Sequence, residues 1–403
     1  MDGTIQLAAV DEGDAFTAPP SGWHFLQLPG PTNIPERVLT AIHRPAMDHR
    51  GPAFAKIARE VLDGMKPIFQ TDDEVFIFPS SGSGAGEAAI ANTLSPGDGV
   101  LMFDSGQFSA LWIKMARQFG LDVHVLENDW RRGPSPEAIE QALRDDKGHA
   151  IKAVIVVHNE TSTGVTARIP EIRSAIDAAG HPALLIVDTI SSLASIDYRH
   201  DEWGVDVSIG GSQKGLMLPP GLSFNAVSAK ARRTAETARL PKFYFDWGWM
   251  RENNKDGFFP YTPAINLLFG LREAIAMLGE EGLANVFRRH RRLGTAARAA
   301  VAAWGLETIC QEPAEYSNSV TAVLFPEGQD AETFRATLRD ELGLTLGGGL
   351  ARFGGKAFRI GHMGYCSELM LLGTLQGIEI GLQRTDTPYL PGGAMAAQRS
   401  LSA

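Results

Sequence analysis

Short apolar runs alternate with helical patterns of apolar and polar positions from about residue 52 to residue 230. The run at residues 153–157 is apolar at every position, as expected of a strand buried on both faces. The patterns predict strands at residues 75–79, 100–104, 153–158, 184–188, 205–210 and 223–228. They predict helices at residues 85–94, 108–119, 136–143 and 170–179. This alternation predicts an α/β fold with a mostly parallel sheet covered by helices on both faces.

The pattern changes after about residue 262, where two long helical segments, 263–281 and 283–304, precede strands near 319–325 and 358–361. A chain of 403 residues usually forms two domains. We therefore expect a large α/β domain over residues 26–262 and a smaller α+β domain over residues 263–385. Residues 1–25 are expected to be an N-terminal arm. Residues 386–403, rich in Pro, Gly, Ala and Ser, are expected to be a mobile tail.

Composition and charge narrow the class of protein. Hydrophobic residues make up 44% and charged residues 21% of the chain, which is typical of a soluble globular protein. The net charge of −10 argues against nucleic acid or an anionic membrane as a partner. Neither a signal peptide nor a transmembrane helix is recognisable. The two cysteines, Cys310 and Cys366, have no metal-ligand spacing, so we expect no metal site on them and a cytoplasmic location.

Two of the predicted buried strands lead into charged residues. One strand ends in Asp188, and another is followed by Gly211, Ser212, Gln213 and Lys214. Ligands bind at the carboxyl ends of parallel strands, and glycine lets backbone or ligand come close. A lysine amine can hold an aldehyde cofactor as a Schiff base, and a carboxylate can pair with the pyridine nitrogen of pyridoxal phosphate. We therefore hypothesise that Lys214 and Asp188 hold this cofactor.

A segment rich in glycine and serine, residues 80–87, follows one predicted strand and opens a helix. Free backbone N–H groups at a helix start attract an anion, and serine hydroxyls add donors, which favours a phosphate cradle. The alternative is the dinucleotide fingerprint of an NAD-dependent dehydrogenase, with Asp104 as the ribose-binding acid. That fingerprint lacks its third glycine, because Glu87 stands there, and it leaves Lys214 unexplained.

Five motifs occur in order along the chain. They are Pro29-Gly30-Pro31-Thr32-Asn33, Ser81-Gly82-Ser83-Gly84, His158-Asn159-Glu160-Thr161-Ser162-Thr163-Gly164, Gly211-Ser212-Gln213-Lys214 and Phe358-Arg359-Ile360-Gly361-His362. In these motifs the chain resembles, from about residue 27 to 385, the class V, fold-type I pyridoxal-phosphate aminotransferases. Within them it is similar to the serine–glyoxylate, alanine–glyoxylate and aspartate–glyoxylate group. The resemblance implies a large domain on a mostly parallel, seven-stranded sheet and a smaller C-terminal α+β domain.

The resemblance also implies roles in binding the cofactor. Lys214 matches the Schiff-base lysine that also moves the proton, and Asp188 matches the partner of the pyridine nitrogen. Thr161 matches a hydroxyl residue near the O3′ edge of the ring, and Phe108 matches an aromatic residue that stacks on it. The phosphate-cup positions are matched by Ser81, Gly82, Ser83 and Gln213.

Further matches concern the substrate and the subunit interface. Arg359 matches the arginine that grips the substrate α-carboxylate, which its planar fork of donors suits, and Gly30 matches a substrate-binding position. Thr262 matches a hydroxyl residue that reaches the phosphate of the neighbouring subunit, so the resemblance implies a homodimer with shared active sites. Phe259 stands where relatives carry tyrosine. One phosphate hydrogen bond is therefore either lost or taken over by Tyr261.

The expected activity is ping-pong transamination from a small L-amino acid to glyoxylate or another small 2-oxo acid. The resemblance favours serine as the donor, with alanine and aspartate as alternatives. Aspartate would need a second cation, for which His49, Arg50 and His362 are candidates. The runner-up activity is that of a β-lyase or cysteine desulfurase, which would need a nucleophilic cysteine, Cys366 or Cys310.

Overall fold

The computed structural model describes residues 22–402, so residues 1–21 of the expected N-terminal arm lie outside the described residues. The strands are β1 (Phe25–Gln27), β2 (Glu74–Phe78), β3 (Gly99–Asp104), β4 (Asp122–Glu127), β5 (Ile151–Val157), β6 (Asn159–Glu160), β7 (Val165–Thr166), β8 (Leu184–Asp188), β9 (Val207–Gly211), β10 (Ser223–Val227), β11 (Glu307–Thr308), β12 (Val320–Leu324), β13 (Leu344–Gly348) and β14 (Ala357–Gly361). The α-helices are α1 (Glu36–Ile42), α2 (Pro52–Phe69), α3 (Gly82–Thr93), α4 (Gln107–Gln118), α5 (Pro136–Asp145), α6 (Ile169–Ala178), α7 (Ala229–Ala235), α8 (Trp247–Asn254), α9 (Ile265–Glu281), α10 (Leu283–Ala303), α11 (Ala331–Leu342), α12 (Glu368–Arg384) and α13 (Gly393–Ser402).

The larger sheet confirms the expected α/β fold. Its seven strands lie in the order β2-β10-β9-β8-β5-β3-β4, and only β10 runs antiparallel to its neighbours. The two strands β8 and β9 are buried along their whole length. In β8 this burial accounts for the continuous apolar run, whereas β9 carries the buried polar residue Ser208 between Val207 and Ile209. The sequence patterns missed β4 because this edge strand is partly exposed and carries polar residues at alternate positions.

The smaller sheet has the order β1-β13-β14-β12-β11 and corrects the expected domain boundary at its N-terminal end. Strand β1 runs parallel to β13, with Phe25 opposite Leu344, so the first described strand belongs to the sheet of the C-terminal region. The pairing joins residues more than 300 positions apart. A local pattern of apolar residues carries no information on such a pairing.

The boundary at residue 262 also shifts, because α9 packs on the helices of the larger sheet. It contacts α1 and α2, and its buried side chains, such as Leu268 and Leu278, join the core of the large domain. The two hydrophobic cores separate within α10, between Val286 and Leu293. The large domain therefore extends about 25 residues beyond residue 262, where the change in the sequence pattern had placed its end.

The expected mobile tail is instead a helix at its end. Helix α13 packs on α10 and α12, and its Ala397 and Leu401 are buried in the core of the small domain. Gly393, Ala397 and Leu401 recur every four residues, which places them on one helix face. Within residues 22–402, no helix is both long and apolar enough to span a membrane.

Candidate active site

The carboxyl ends of the central strands of the larger sheet meet at a cavity of about 170 Å³. Eight of the eleven residues that the sequence predicted for the site line this cavity: Ser81, Gly82, Ser83, Phe108, Thr161, Asp188, Gln213 and Lys214. Gly30 and Arg359 contact residues of this group from the smaller sheet's side of the molecule. Thr262 is exposed and does not line the cavity. The structure thus brings eight of the predicted residues together at these strand ends.

Lys214 lies just after β9 and is buried, with 9% of its surface exposed. Its Nζ donates a hydrogen bond to the carbonyl oxygen of Pro29. Burial, and next the positive charge of Arg359, lower the pKa of Lys214 to about 8, while Asp188 acts in the opposite direction. A lysine with a lowered pKa is partly unprotonated near neutral pH, so it can act as a nucleophile and as a proton acceptor.

The loop that carries Lys214 is fixed by bonds on both sides. The Ser212 hydroxyl donates to Pro219 O (2.7 Å) and accepts from the backbone N–H of Leu222 (3.1 Å). Thr32 donates its hydroxyl to the carbonyl oxygen of Lys214 (3.1 Å). Gly30 has a φ of 92°, and a Cβ there would lie 2.5 Å from Lys214 Nζ. Glycine is therefore required at position 30 both by backbone conformation and by space.

Asp188 ends β8 and directs its carboxylate into the cavity. One oxygen accepts from the indole N–H of Trp112 and the other from the backbone N–H of Ile190, each at 2.8 Å. Burial raises the pKa of Asp188, whereas these two donors and the charge of Lys214 lower it. A buried carboxylate held in this way suits a cationic partner in the cavity.

The first turn of α3 also lines the cavity. Ser81 is the residue before the helix, and among the described residues no side chain caps this N-terminus. The N–H groups of the first turn therefore remain available to an anion, which the helix dipole also favours. The amide oxygen of Gln213 is buried and has no partner within residues 22–402, so this side chain is also available to a ligand.

Arg359 on β14 is buried, with 8% of its surface exposed. Its Nε donates to Gly348 O (2.7 Å) and one terminal nitrogen donates to Thr161 O (3.0 Å). Burial, and next the charge of Arg335, lower its pKa to about 10, so it stays a cation at neutral pH. Two of the five N–H donors of a guanidinium are thus used, and the remainder can bind a carboxylate beside the cavity.

The sequence reasoning missed Trp112, Asn159, Ile190 and Ser191, which also line the cavity. Ser191 accepts from the Thr161 hydroxyl (2.7 Å) and donates to Asn159 O (2.8 Å), so it orients Thr161. A signal for Trp112 was present, since it lies four residues after Phe108 on a predicted helix and hence on the same face. The stacking role of Phe108 and the ring contact of Thr161 stay predictions.

Neither cysteine is placed for catalysis. Cys366 lines a separate cavity of about 330 Å³ together with Met217, Met277 and Arg289, and burial raises its pKa to about 11. Burial likewise raises the pKa of Cys310 to about 11. A thiol with a raised pKa is a poor nucleophile, so the structure does not favour the cysteine-dependent alternative.

The structure does not favour the dehydrogenase alternative, because Asp104, the expected ribose-binding acid, is not free to bind a ligand. Asp104 accepts from the indole N–H of Trp130 (3.0 Å) and from Arg352 (2.7 Å), so its carboxylate is already engaged. It is also not among the residues that line the cavity. No group of three or more His, Cys, Asp and Glu side chains suited to a metal ion occurs in the part of the chain that the structure describes.

Comparison with known proteins decides the family. The sequence profile of the family described as aminotransferase class-V matches residues 24–352. The chain belongs to this family. A serine–glyoxylate aminotransferase of Methylorubrum extorquens is 51% identical over 385 residues, which cover 94% of this chain and 96% of that protein.

Two further similar proteins are also aminotransferases. An L-aspartate–glyoxylate aminotransferase of Paracoccus denitrificans is 45% identical, over 92% of this chain and 94% of that protein. The crystal structure of ureidoglycine–glyoxylate aminotransferase from Bacillus subtilis has a TM-score of 0.87 at 29% identity, covering 95% of this chain and 99% of that one. This class-V aminotransferase is thus a transaminase of fold type I that uses pyridoxal phosphate.

The residues at the cavity fit that cofactor. The uncapped start of α3 suits its phosphate, to which the amide N–H groups of Gln213 can also donate. The Asp188 carboxylate suits a protonated ring nitrogen, and the Lys214 amine suits its aldehyde. When bound, pyridoxal phosphate supplies the aldehyde that carries amino groups and a ring that stabilises negative charge at the substrate's α-carbon.

Proposed function

We propose that this class-V aminotransferase moves the amino group of a small L-amino acid, with serine favoured, to glyoxylate in a ping-pong reaction. The observation that carries the proposal is that Lys214, Asp188 and Arg359 converge on one edge of the larger sheet. Relatives whose names state serine–glyoxylate and aspartate–glyoxylate transamination match more than nine-tenths of the chain. Both names share glyoxylate, which supports it as the acceptor.

In this proposal Lys214 would hold the cofactor's aldehyde through Nζ, and its amine would move the proton of the substrate's α-carbon. Its pKa of about 8 suits both acceptance and return of a proton near neutral pH. Arg359 binds the substrate's α-carboxylate through its free donors, which orients the Cα–H bond towards Lys214 Nζ. Glycine at position 30 lets the Lys214 side chain lie directly against the backbone there.

The identity of the donor depends on whether a second cation meets the substrate. Among the three candidates, His362 is buried and bonded to Thr321 (2.9 Å) and to Asn318 O (3.0 Å). Burial lowers its pKa to about 3, so it is neutral and cannot bind a second carboxylate. Arg50 donates to Phe259 O (3.2 Å). His362 is thus removed as a candidate cation, and the preference for serine rests on the relatives named above.

A half-reaction screen tests the donor. The holoenzyme is mixed with L-serine, L-alanine or L-aspartate alone, and conversion of the cofactor to its amine form is followed by absorbance. We expect L-serine to react fastest and glyoxylate to restore the starting spectrum. Faster reaction with L-aspartate would reject serine as the donor, and no reaction with any of the three would reject a small-amino-acid donor.

We propose further that the enzyme is a homodimer in which Thr262 reaches the partner's cofactor phosphate. Thr262 adjoins a cluster of aromatic residues, Phe243, Tyr244, Trp249 and Tyr261, three of which are exposed. Phe243 is 74% exposed, an unusual exposure for phenylalanine on a surface that faces only water. A second copy of the chain would cover this cluster.

Tyr261 bears on the substitution at Phe259. Phe259 is buried against Phe54 and has no polar group to offer, so it makes no phosphate contact. The Tyr261 hydroxyl is buried and makes no hydrogen bond of ordinary geometry to residues 22–402, and the hydroxyl of Tyr244, whose ring stacks on that of Tyr261, lies close to it. This supports the alternative in which Tyr261 supplies the phosphate hydrogen bond that tyrosine at position 259 makes in relatives.

Hybrid dimers test the shared site. Lys214→Ala and Thr262→Val each damage every site of their own homodimer, but mixed dimers contain one site with both residues intact. Mixing the two variants under subunit exchange should restore activity to about one site per mixed dimer. Sedimentation equilibrium should give twice the chain mass of 43.5 kDa. A monomeric mass, or no recovery from exchanged dimers, would contradict the proposal.

We also propose a cytoplasmic location. Both cysteines are free thiols, which suits a reducing compartment. Cell fractionation with a tagged chain would test this, and recovery from a secreted fraction would contradict it.

A further inference from the structure

Trp112 is a buried tryptophan of the site for which the sequence motifs assign no role. It lies in α4, one turn beyond Phe108, is 5% exposed and lines the cavity beside Asp188. Its indole N–H donates to Asp188 at 2.8 Å. It therefore combines a packing surface with a single directed donor.

The Asp188 carboxylate depends on this donor. Burial penalises the charged form, and within the described residues only the indole of Trp112 and the backbone N–H of Ile190 donate to its oxygens. A hydrogen bond to a charged group is stronger than one between neutral groups. Removing the indole N–H would leave one oxygen of a buried carboxylate unpaired.

The tryptophan is held rigidly in this position. A Cβ on Gly86 of α3 would lie 3.0 Å from the edge of the indole, so α3 approaches the ring closely only because residue 86 is glycine. At the start of α4, the buried Glu160 carboxylate accepts from the backbone N–H groups of Phe108 and Ser109, both at 3.1 Å. These contacts fix α4 and with it the direction of the indole N–H.

We propose that Trp112 is a positioning residue that keeps Asp188 ionised and directed at the cofactor's ring nitrogen. The proposal rests on the role proposed above for Asp188. A carboxylate that is fixed and charged keeps the ring nitrogen protonated, and the protonated ring stabilises negative charge at the substrate's α-carbon. Trp112 thus acts on the reaction through Asp188 without touching the reacting atoms.

The test compares Trp112→Phe with the parent enzyme, each loaded with pyridoxal phosphate or with its deaza analogue, in which a C–H replaces the ring nitrogen. The half-reaction with L-serine is measured, or with L-aspartate if serine is inert. We expect Trp112→Phe to slow the reaction about 10- to 100-fold with the natural cofactor. With the deaza analogue the loss should be less than about twofold, because no ring nitrogen remains for Asp188 to act on.

A second readout does not depend on turnover. In holoenzyme carrying ¹⁵N-labelled cofactor, solid-state NMR reports whether the ring nitrogen is protonated. We expect the protonated signal in the parent enzyme and a shift towards the unprotonated signal in Trp112→Phe. An unchanged signal would overturn the proposal.

Trp130→Phe is the matched control. Trp130 is also 5% exposed and also donates its indole N–H to an aspartate, Asp104, but it lies outside the cavity. The change in half-reaction rate caused by Trp130→Phe should be the same with pyridoxal phosphate as with the deaza analogue. If Trp112→Phe fails to fold, 3-benzothienylalanine introduced at position 112 by nonsense suppression keeps the bicyclic ring and removes only the donor.

Asp188→Asn separates the proposed role of Asp188 from the proposed positioning role of Trp112. Equal losses with both cofactors for Asp188→Asn would reject the role of Asp188 and the positioning proposal with it. Cofactor-dependent loss for Asp188→Asn together with equal losses for Trp112→Phe would reject Trp112 alone. Cofactor-dependent loss in both variants, larger for Asp188→Asn, is the expected result.

Discussion

The two sheets contribute differently to the active site. The seven-stranded sheet brings Lys214 and Asp188 together from neighbouring buried strands, so their relative position is fixed within one domain. The five-stranded sheet contributes Arg359, whose bond to Thr161 O crosses from one domain to the other. The cofactor site that we propose is therefore local to one sheet, whereas the proposed binding of substrate by Arg359 depends on how the two domains sit together. Variants on the two sheets should accordingly fail in different ways.

Lys214→Ala should have the largest effect on turnover, because it removes the reactive amine at the end of a strand of the larger sheet. Loss of both the nucleophile and the proton carrier should lower the turnover number by about 10⁴-fold or more. Single-turnover absorbance measures the loss, and circular dichroism confirms the fold. Lys230→Ala is the control, because this lysine of the same domain pairs with Asp206 outside the cavity. Turnover of Lys214→Ala within tenfold of the parent enzyme would contradict the assignment.

Arg359→Gln should have the next largest effect, and it should fall on the substrate rather than on the cofactor. Removing one partner of a buried charge pair costs about 2–5 kcal/mol, so kcat/KM for the amino donor should fall about 10²- to 10³-fold. Cofactor affinity should stay within about threefold of the parent value.

The control for this comparison is Arg335→Gln on α11, since Arg335 also donates to a backbone carbonyl of the smaller sheet, Leu346 O at 3.0 Å. It should leave kcat/KM near the parent value. Loss of cofactor affinity in Arg359→Gln without a change in substrate binding would place Arg359 with the cofactor and end the division between the two sheets.

The contrast between the sheets also marks what the sequence could predict. Strand ends of the larger sheet were recognisable because a continuous apolar run leads into Asp188 and a largely apolar segment leads towards Lys214, and these signals are local. The pairing of β1 with β13 was not recognisable, because nothing in three residues indicates a partner at Leu344. The small sheet is therefore the part that the sequence described least well.

The site shows the same division between local and long-range information. The five motifs contain six of the eight residues that line the cavity, while Asp188 was found from its strand end and Phe108 from the wider resemblance. Trp112 was missed because its role depends on a contact with Asp188, 76 positions away. A tryptophan on an amphipathic helix is by default a packing residue. Only the geometry shows that its N–H meets a buried carboxylate.

The pH dependence of stability offers a smaller test, which concerns the apoenzyme. Lys214 has a pKa of about 8 in the folded chain and an ordinary value near 10.5 when unfolded, so between these pH values the unfolded state binds more protons. Stability therefore rises with pH across this window. Relative to Lys214→Met, the parent apoenzyme should gain about 3 kcal/mol from pH 8 to 10.5. Urea unfolding at a series of pH values measures this, and a flat difference would show that Lys214 is not desolvated.

The smallest effect should come from Leu401→Ala, which separates the stability of the smaller domain from the activity of the site. Leu401 on α13 is buried in the core that α10 and α12 share, far along the chain from every cavity residue. Truncation of a buried leucine costs about 2 kcal/mol or more, so the unfolding free energy should fall by about that amount. The half-reaction rate should stay unchanged. Leu390→Ala, at a leucine that is 63% exposed, is the control and should change neither quantity. If Leu401→Ala also raised KM for the amino donor, packing of α13 would set the position of Arg359, because a shift of the small domain moves that residue relative to Thr161.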